Sequence, residues 1–227
     1  MVKNKTLIIA EAGVNHNGNI KTAYRLIDEA AIAKADAIKF QTFTADTLVT
    51  KNAGLAKYQK KNTNFKSQYE MLKELEFPKK FHLRCIDRCK KKGIIFLSSP
   101  FSIEDIIFLK RFNMKYYKIP SGEITNLPYI KYISKLKKKV ILSTGMSTGT
   151  EIKTAIKILK QGGTNLKNIT LLHCNSAYPT PFEDVNLKSI ISLRNIYKVR
   201  AGISDHSTGI EVPISAVALG AVIVEKH

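Results

Sequence analysis

Two lysines interrupt otherwise apolar segments of this 227-residue sequence. Lys39 lies in the run AIKFQTF (37–43), and Lys118 lies in the run YYKIPSGE (116–123). An unpaired ammonium group is costly inside an apolar strand, so each lysine predicts either a bound anion or a carboxylate partner. A structural ion pair, for instance between Lys39 and Glu11, is one possibility that the sequence leaves open.

Hydroxyl groups follow the same kind of apolar run at several places. The segments SGE and STGM add glycine-adjacent backbone N–H groups near them. Ammonium groups combined with hydroxyl and backbone donors suit a phosphate dianion. The hydroxyl donors expected at such a site are Ser99, Ser121, Ser143 and Thr144.

Two histidines end the runs VRAGISDH and AVIVEKH, at His206 and His227. If these runs are neighbouring strands, two imidazoles could bind one divalent metal and leave positions open for water or a substrate oxygen. Histidine coordination normally needs a third donor, so a packing role stays open. We expect His16 and His173 to be structural or to support the site, whereas His82 lies on a basic helix and carries no functional signal.

Short β-branched runs alternate eight times with longer amphipathic stretches. This alternation predicts a parallel (β/α)8 barrel, the TIM barrel, in preference to an open sheet. In that fold the carboxyl ends of the strands face one shared mouth, where Glu11 would be one member of a polar ring. The predicted strands are 7–13, 37–43, 94–100, 116–123, 140–146, 169–176, 199–206 and 221–227.

Two segments depart from the regular alternation. Residues 44–79 are polar and predict an inserted βα loop or a lid of irregular helices. The sequence ends at His227 with the eighth strand. We therefore expect residues 1–227 to be a single barrel domain that lacks its last helix.

Composition narrows the class of protein. Hydrophobic residues make up 44% of the chain, enough for one full-sized core. The net charge of +19 comes mostly from lysine-rich helical patterns without interleaved aromatics, so we expect a solvated basic exterior and no nucleic-acid partner. No signal peptide or apolar stretch of roughly 20 residues is present, which predicts a cytoplasmic protein with no membrane partner. The three cysteines, Cys85, Cys89 and Cys174, form no CxxC pair and are expected to be reduced.

Six extended motifs occur in order over nearly the whole chain. They are IIAEAGVNHNGN, AIKFQTF, KIPSGEITNLPYI, VILSTGMST, LLHCNSAYPTPFEDVNL and GISDHSTGIEVPISAVALGAVIVEKH. Together they resemble the sialic acid (N-acetylneuraminate) synthase family, which makes nonulosonic acids from phosphoenolpyruvate. The resemblance implies a TIM barrel followed by an antifreeze-like domain that reaches over the partner's barrel in a homodimer. That domain, like the last barrel helix, is expected to be missing from this chain.

The resemblance also implies roles for individual residues. The positions that match the family's phosphoenolpyruvate contacts are Lys39, Ser99, Lys118, Ser121, Ser143 and Ser176. Those that match its metal ligands, usually for Mn²⁺, are His206 and His227. Glu11 and Glu123 match carboxylates of the reaction centre, and Gln41 and Tyr178 match contacts to the sugar.

One motif departs from the family pattern. This chain reads Asn175, Ser176, Ala177, Tyr178, Pro179 where the family reads Thr-Asn-x-Tyr-Pro, so the amide side chain stands one position earlier. Tyr178 itself could form a wall for a substrate or be a packed aromatic residue.

The expected activity follows from the resemblance. It is the condensation of phosphoenolpyruvate with an N-acetylated hexose, either ManNAc or a 6-deoxy-diacetamido analogue, to give a nine-carbon nonulosonic acid and phosphate. A legionaminic or pseudaminic acid synthase is the nearest alternative. An alternative of another class is a truncated barrel that binds phosphoenolpyruvate or metal without turnover.

Overall fold

The computed structural model describes residues 5–55 and 65–227. The strands are β1 Leu7–Gly13, β2 Ala37–Thr42, β3 Ile95–Pro100, β4 Tyr116–Ile119, β5 Lys139–Ser143, β6 Ile169–Cys174, β7 Arg200–Asp205 and β8 Ile223–Lys226. The helices are α1 Ile20–Ile32, α2 Ala45–Leu48, α3 Gln68–Leu75, α4 Lys79–Lys92, α5 Ile103–Lys110, α6 Leu127–Lys135, α7 Gly149–Gln161, α8 Lys188–Tyr197 and α9 Glu211–Ala218.

The eight strands form one parallel sheet in the order β3-β2-β1-β8-β7-β6-β5-β4. The first strand, β1, pairs with β2 on one side and with the last strand, β8, on the other. The sheet therefore curves back toward its own start. At the remaining seam β3 and β4 lie against one another, so the barrel is nearly closed. The predicted (β/α)8 barrel is confirmed.

Local sequence explains how the helices are placed around this sheet. Helix α7, for example, begins with a capping box in which Thr148 and Glu151 exchange hydrogen bonds with each other's backbone. Its buried residues, Ile152, Ala155, Ile156 and Leu159, recur at helical spacing on one face. This face packs into the core and leaves the lysines of the helix in solvent.

The predicted strand over 116–123 is wrong beyond Ile119. Strand β4 ends there, and Ser121–Glu123 form a 3-10 turn. Pro120 has no N–H to donate to the sheet, so the pairing stops before it. The turn also changes the direction of the side chains that follow, including that of Glu123.

The polar segment after β2 contains short helices in its described part. These are α2 and α3, while residues 56–64 of the predicted lid lie outside the described residues. The Glu76 carboxylate accepts a hydrogen bond from the Ala45 backbone N–H at 2.7 Å, and Tyr69 donates to Asp46 at 2.7 Å. These contacts fasten both ends of the segment beside the barrel mouth.

Across the two described ranges, no helix has the length and apolar character needed to cross a membrane. The expectation that 1–227 is a single barrel domain, without a following domain, stays a prediction.

An aromatic cluster that includes Phe40 of β2 and Phe96 of β3 surrounds two histidines. His16 and His82 are both fully buried, and their rings lie 4.5 Å and 4.9 Å from the ring of Phe77. The Gly18 N–H donates to His16 Nδ1 at 2.9 Å, and His82 Nε2 lies 2.8 Å from the Thr42 hydroxyl. Burial lowers the pKa of each imidazole to about 4, so both rings are neutral in the folded protein at pH 7.

This burial predicts acid lability. An unfolded histidine takes up a proton near pH 6.5, whereas these two resist it down to about 4, so stability is present above pH 6.5 and is lost as the pH falls. Each histidine should cost about 2 kcal/mol of unfolding free energy between pH 7 and pH 5. The measurement is urea denaturation at both values for the wild type and for His82→Gln. The variant should lose about 2 kcal/mol less than the wild type; an identical loss would contradict the assignment.

Candidate active site

A cavity of about 350 Å³ lies at the carboxyl ends of the barrel strands. It is lined by every residue that the sequence placed in the site except Glu123 and Thr144. These residues lie on or shortly after all eight strands, so only closure of the barrel brings them together. The predicted residues on its wall are Glu11, Lys39, Gln41, Ser99, Lys118, Ser121, Ser143, Ser176, Tyr178, His206 and His227.

The first lysine forms a buried ion pair. The β1–β2 register sets Glu11 opposite Lys39, and Lys39 Nζ lies 2.6 Å from Glu11 Oε2. Both side chains are only 4% exposed. Lys39 also donates to the Ser99 hydroxyl at 3.3 Å. The ion pair that the sequence left open as an alternative is therefore present.

The second lysine is paired in the same way. Lys118 Nζ lies 3.2 Å from Glu225 Oε1 and donates to the Ser143 hydroxyl at 2.8 Å. The other oxygen of Glu225 lies 3.9 Å from Lys39 Nζ. Two ammonium groups thus face two carboxylates, and this group of four carries no net charge.

The electrostatic consequences differ between the two carboxylates. Burial raises the pKa of Glu11, although Lys39 opposes the shift. Burial acts in the same direction on Glu225, but Lys118 and Lys39 hold the pKa of its carboxyl well below the ordinary value. Burial alone would lower the pKa of Lys39, yet Glu11 and Glu225 raise it. The surroundings therefore favour the charged form of Glu225 more than that of Glu11.

The two histidines converge on one point. The ring centroids of His206 and His227 are 4.1 Å apart, and their Nε2 atoms lie 3.5 Å and 3.4 Å from the hydroxyl of Ser204. His206 Nδ1 lies 2.5 Å from the Asn175 carbonyl oxygen, to which it donates, so its Nε2 carries the lone pair. Burial and the neighbouring His227 lower the pKa of His206 to about 4.

This donor set fits a divalent metal in part. Two imidazoles whose Nε2 atoms converge are suitable ligands. In the ranges 5–55 and 65–227, however, no cluster of three or more His, Cys, Asp or Glu side chains is arranged to hold an ion. The remaining coordination positions would take oxygen atoms from water or from a ligand.

The third group of polar contacts surrounds Ser121. The Gly145 N–H donates to the Ser121 hydroxyl at 2.9 Å, and Cys174 Sγ lies 3.1 Å from the same oxygen. Gly145 lacks a side chain here because a Cβ atom would stand 2.9 Å from both Ser121 Oγ and Cys174 Sγ. All three cysteines are free thiols, as predicted.

Glu123 lies apart from the cavity wall. It follows the turn at Pro120, and its Oε2 accepts a hydrogen bond at 2.7 Å from Asn126, the N-cap of α6. Because β4 ends at Ile119, Glu123 does not stand at the end of a strand as the predicted range 116–123 implied. The catalytic role expected of Glu123 stays a prediction. Its position away from the cavity wall does not support that role.

Sequence reasoning did not assign Glu225, which the structure places at the centre of the site. A signal was available, because Glu225 is an ionisable residue in the apolar run AVIVEKH and shares strand alternation with His227. The β7–β8 register sets it opposite Ser204, which donates to Glu225 Oε1 at 2.8 Å.

The buried pair predicts an asymmetric response to substitution. Lys39→Met leaves Glu11 buried and unpaired, so we expect a loss of about 3–5 kcal/mol in unfolding free energy. Adding Glu11→Gln should recover part of that loss, because it removes the stranded charge. Lys73→Met is the matched control, since Lys73 and its partner Asp46 are 49% and 57% exposed, and should cost less than about 1 kcal/mol. Urea denaturation measures all three, and equal losses for the two lysines would refute the buried pair.

Known proteins resemble this chain over most of its length. The sequence profile of the NeuB family matches residues 26–227. The N,N'-diacetyllegionaminic acid synthase of Campylobacter jejuni is 51% identical over 224 residues, which cover 98% of this chain and 67% of that protein. A pseudaminic acid synthase of Campylobacter jejuni is 41% identical over 225 residues, covering 98% of this chain and 65% of that protein.

A solved structure shows the same fold. The crystal structure of N-acetylneuraminic acid (sialic acid) synthetase from Leptospira borgpetersenii in complex with citrate aligns with a TM-score of 0.86 at 39% identity, covering 99% of this chain and 73% of that one. The chain spans about two thirds of the length of the curated relatives it matches. The matches extend over nearly all of the chain, at the level of both sequence and fold, and it belongs to the NeuB family.

Proposed function

We propose that this protein condenses phosphoenolpyruvate with the aldehyde form of an N-acetylated hexose, giving a nonulosonic acid and phosphate. The observation that carries the proposal is the cavity in which two lysines with hydroxyl partners stand beside a convergent pair of imidazoles. The 51% and 46% identity to proteins named N,N'-diacetyllegionaminic acid synthase supports a 6-deoxy-diacetamido hexose as the acceptor. ManNAc is the alternative acceptor.

The ion pairs leave donors for an anion. An ammonium group has three N–H donors, and each lysine uses one for a carboxylate and one for a serine. One N–H of each lysine therefore stays available. Ser99 and Ser143 accept from the lysines, and Ser121 accepts from Gly145, so their own O–H groups can donate to the guest. Two ammonium donors and three hydroxyl donors suit the carboxylate and phosphate of phosphoenolpyruvate.

The proposed reaction forms a bond between C3 of phosphoenolpyruvate and the aldehyde carbon. Positive charge develops at C2, water adds there and loses a proton, and the former aldehyde oxygen gains a proton. The C2–O bond to phosphate then breaks, so phosphoenolpyruvate, aldehyde and water give the nonulosonic acid and phosphate. Lys39 and Lys118 hold the enol near the carbonyl, and most of the rate enhancement would come from positioning and electrostatics. Glu11 accepts or returns a proton, consistent with its buried position and raised pKa.

The acceptor side of the cavity carries Gln41 and Tyr178. Gln41 lies on the wall beyond Lys39, and Tyr178 stacks on His206 with ring centroids 4.0 Å apart. In this proposal both contact the sugar. His206 and His227 would hold a divalent ion, Mn²⁺ by the family resemblance, which supplies Lewis-acid polarisation of the acceptor's carbonyl oxygen.

The setting of the enzyme is part of the proposal. Free cysteines agree with a reducing cytoplasm. The solvated lysine-rich helices agree with a protein whose partners are phosphoenolpyruvate and a sugar, with no nucleic acid or membrane. A homodimer is proposed for the longer protein that the family resemblance implies.

The direct test is release of phosphate from phosphoenolpyruvate with a panel of N-acetylated hexoses, with and without Mn²⁺. We expect release that depends on the sugar and a product of matching mass. Lys118→Met should reduce phosphoenolpyruvate binding at least about 100-fold, because it removes a charged donor from the anion site. Calorimetry measures the binding, and circular dichroism checks the fold. Binding without turnover for every sugar would favour the non-catalytic alternative, and unchanged binding in the variant would refute the anion site.

The histidine pair makes a separate prediction. In His206→Ala, stimulation of turnover by Mn²⁺ should disappear, and titration calorimetry should show loss of the Mn²⁺ site. The unfolding transition should persist, because His206 lies at the mouth outside the apolar core. Metal-stimulated turnover that survives the substitution would remove His206 from the site.

A further inference from the structure

Glu225 connects the two halves of the cavity. Its Oε1 lies 3.2 Å from Lys118 Nζ, accepts from Ser204 at 2.8 Å, and lies 3.7 Å from His227 Nε2. Its Oε2 faces Lys39 Nζ at 3.9 Å. The side chain is 2% exposed, so these contacts form without competing water.

The second carboxylate does not share this position. Glu11 forms its ion pair with Lys39, whereas Glu225 is placed between both lysines and the histidine pair. Glu225 Oε2 is buried without a hydrogen-bond donor, so its contact with Lys39 is electrostatic and long. An anion that approaches the two lysines would therefore be repelled by the carboxylate of Glu225.

That arrangement has opposite effects on binding and on geometry. A buried negative charge beside two ammonium groups weakens the attraction of the site for an anion. The same charge fixes Lys118 against Ser143 and fixes the Ser204 hydroxyl below the imidazoles. If this position served only to bind the anion, an acidic residue would be unsuitable there, because its charge repels the anion.

We propose that Glu225 is a positioning residue, which holds Lys118 and Ser204 in the reactive arrangement at the expense of affinity for phosphoenolpyruvate. The inference rests on the proposed function. Glu225 acts through its neighbours, because the lysines and the hydroxyl groups are the groups that contact the bound anion.

A conservative pair of variants separates charge from geometry. Glu225→Gln keeps the size and an acceptor for Ser204 but removes the charge. Glu225→Asp keeps the charge but withdraws it by one methylene. Glu183→Gln is the matched control, because Glu183 is an exposed acid on the same face of the barrel and lies outside the cavity wall.

The experiment measures phosphoenolpyruvate affinity by calorimetry without acceptor, and kcat with acceptor, at saturating Mn²⁺ and low salt. For Glu225→Gln we expect Kd to fall about fivefold and kcat to fall about 100-fold. For Glu225→Asp we expect a similar loss of kcat with Kd unchanged, which keeps the test available if the glutamine variant does not fold. Glu183→Gln should leave both values unchanged.

The outcomes are distinct from those that test the proposed function. If the wild type neither binds nor consumes phosphoenolpyruvate, the proposed function fails. If the wild type does both, an unchanged kcat in Glu225→Gln overturns the positioning role. A rise in Kd in that variant also overturns it, since Glu225 would then support binding itself.

Discussion

The structure of this site depends on the neutralisation of two buried lysines by two buried carboxylates. An ammonium group inside a barrel is tolerated only with a partner of opposite charge, and here each lysine has one within 3.2 Å. Each lysine also donates a second N–H to a serine. One of the three N–H groups of each lysine is therefore left for a ligand. The two lysines and two carboxylates thus carry no net charge together, and the lysines still have donors for an anion.

The parallel registers of the barrel produce this arrangement. Glu11 stands opposite Lys39, and Ser204 stands opposite Glu225, because the strands pair in those registers. A slip of one residue in either pairing would turn a charged side chain toward the helices and away from its partner. The charges of the site therefore also help to specify the fold.

The barrel places two kinds of polar side chain in different parts of one cavity. The strands from β2 to β5 supply ammonium and hydroxyl donors, which suit an anion, and two imidazoles follow the ends of β7 and β8. Glu225 lies at the boundary between them. Relatives named for three different nonulosonic acids resemble this chain over nearly its whole length.

The sequence alone determined the eight alternating units, the parallel barrel, and the polar residues at the strand ends, because strand periodicity and apolar runs are local properties of the chain. It also identified the two lysines and the two histidines, since ionisable residues in apolar runs are conspicuous. Only the tertiary structure decided which charges meet: that Lys39 pairs with Glu11, that Glu225 reaches both lysines, and that Glu123 turns away after Pro120. The reason is that pairing depends on register and on the angle at which each strand ends, and these are set by the closure of the whole barrel.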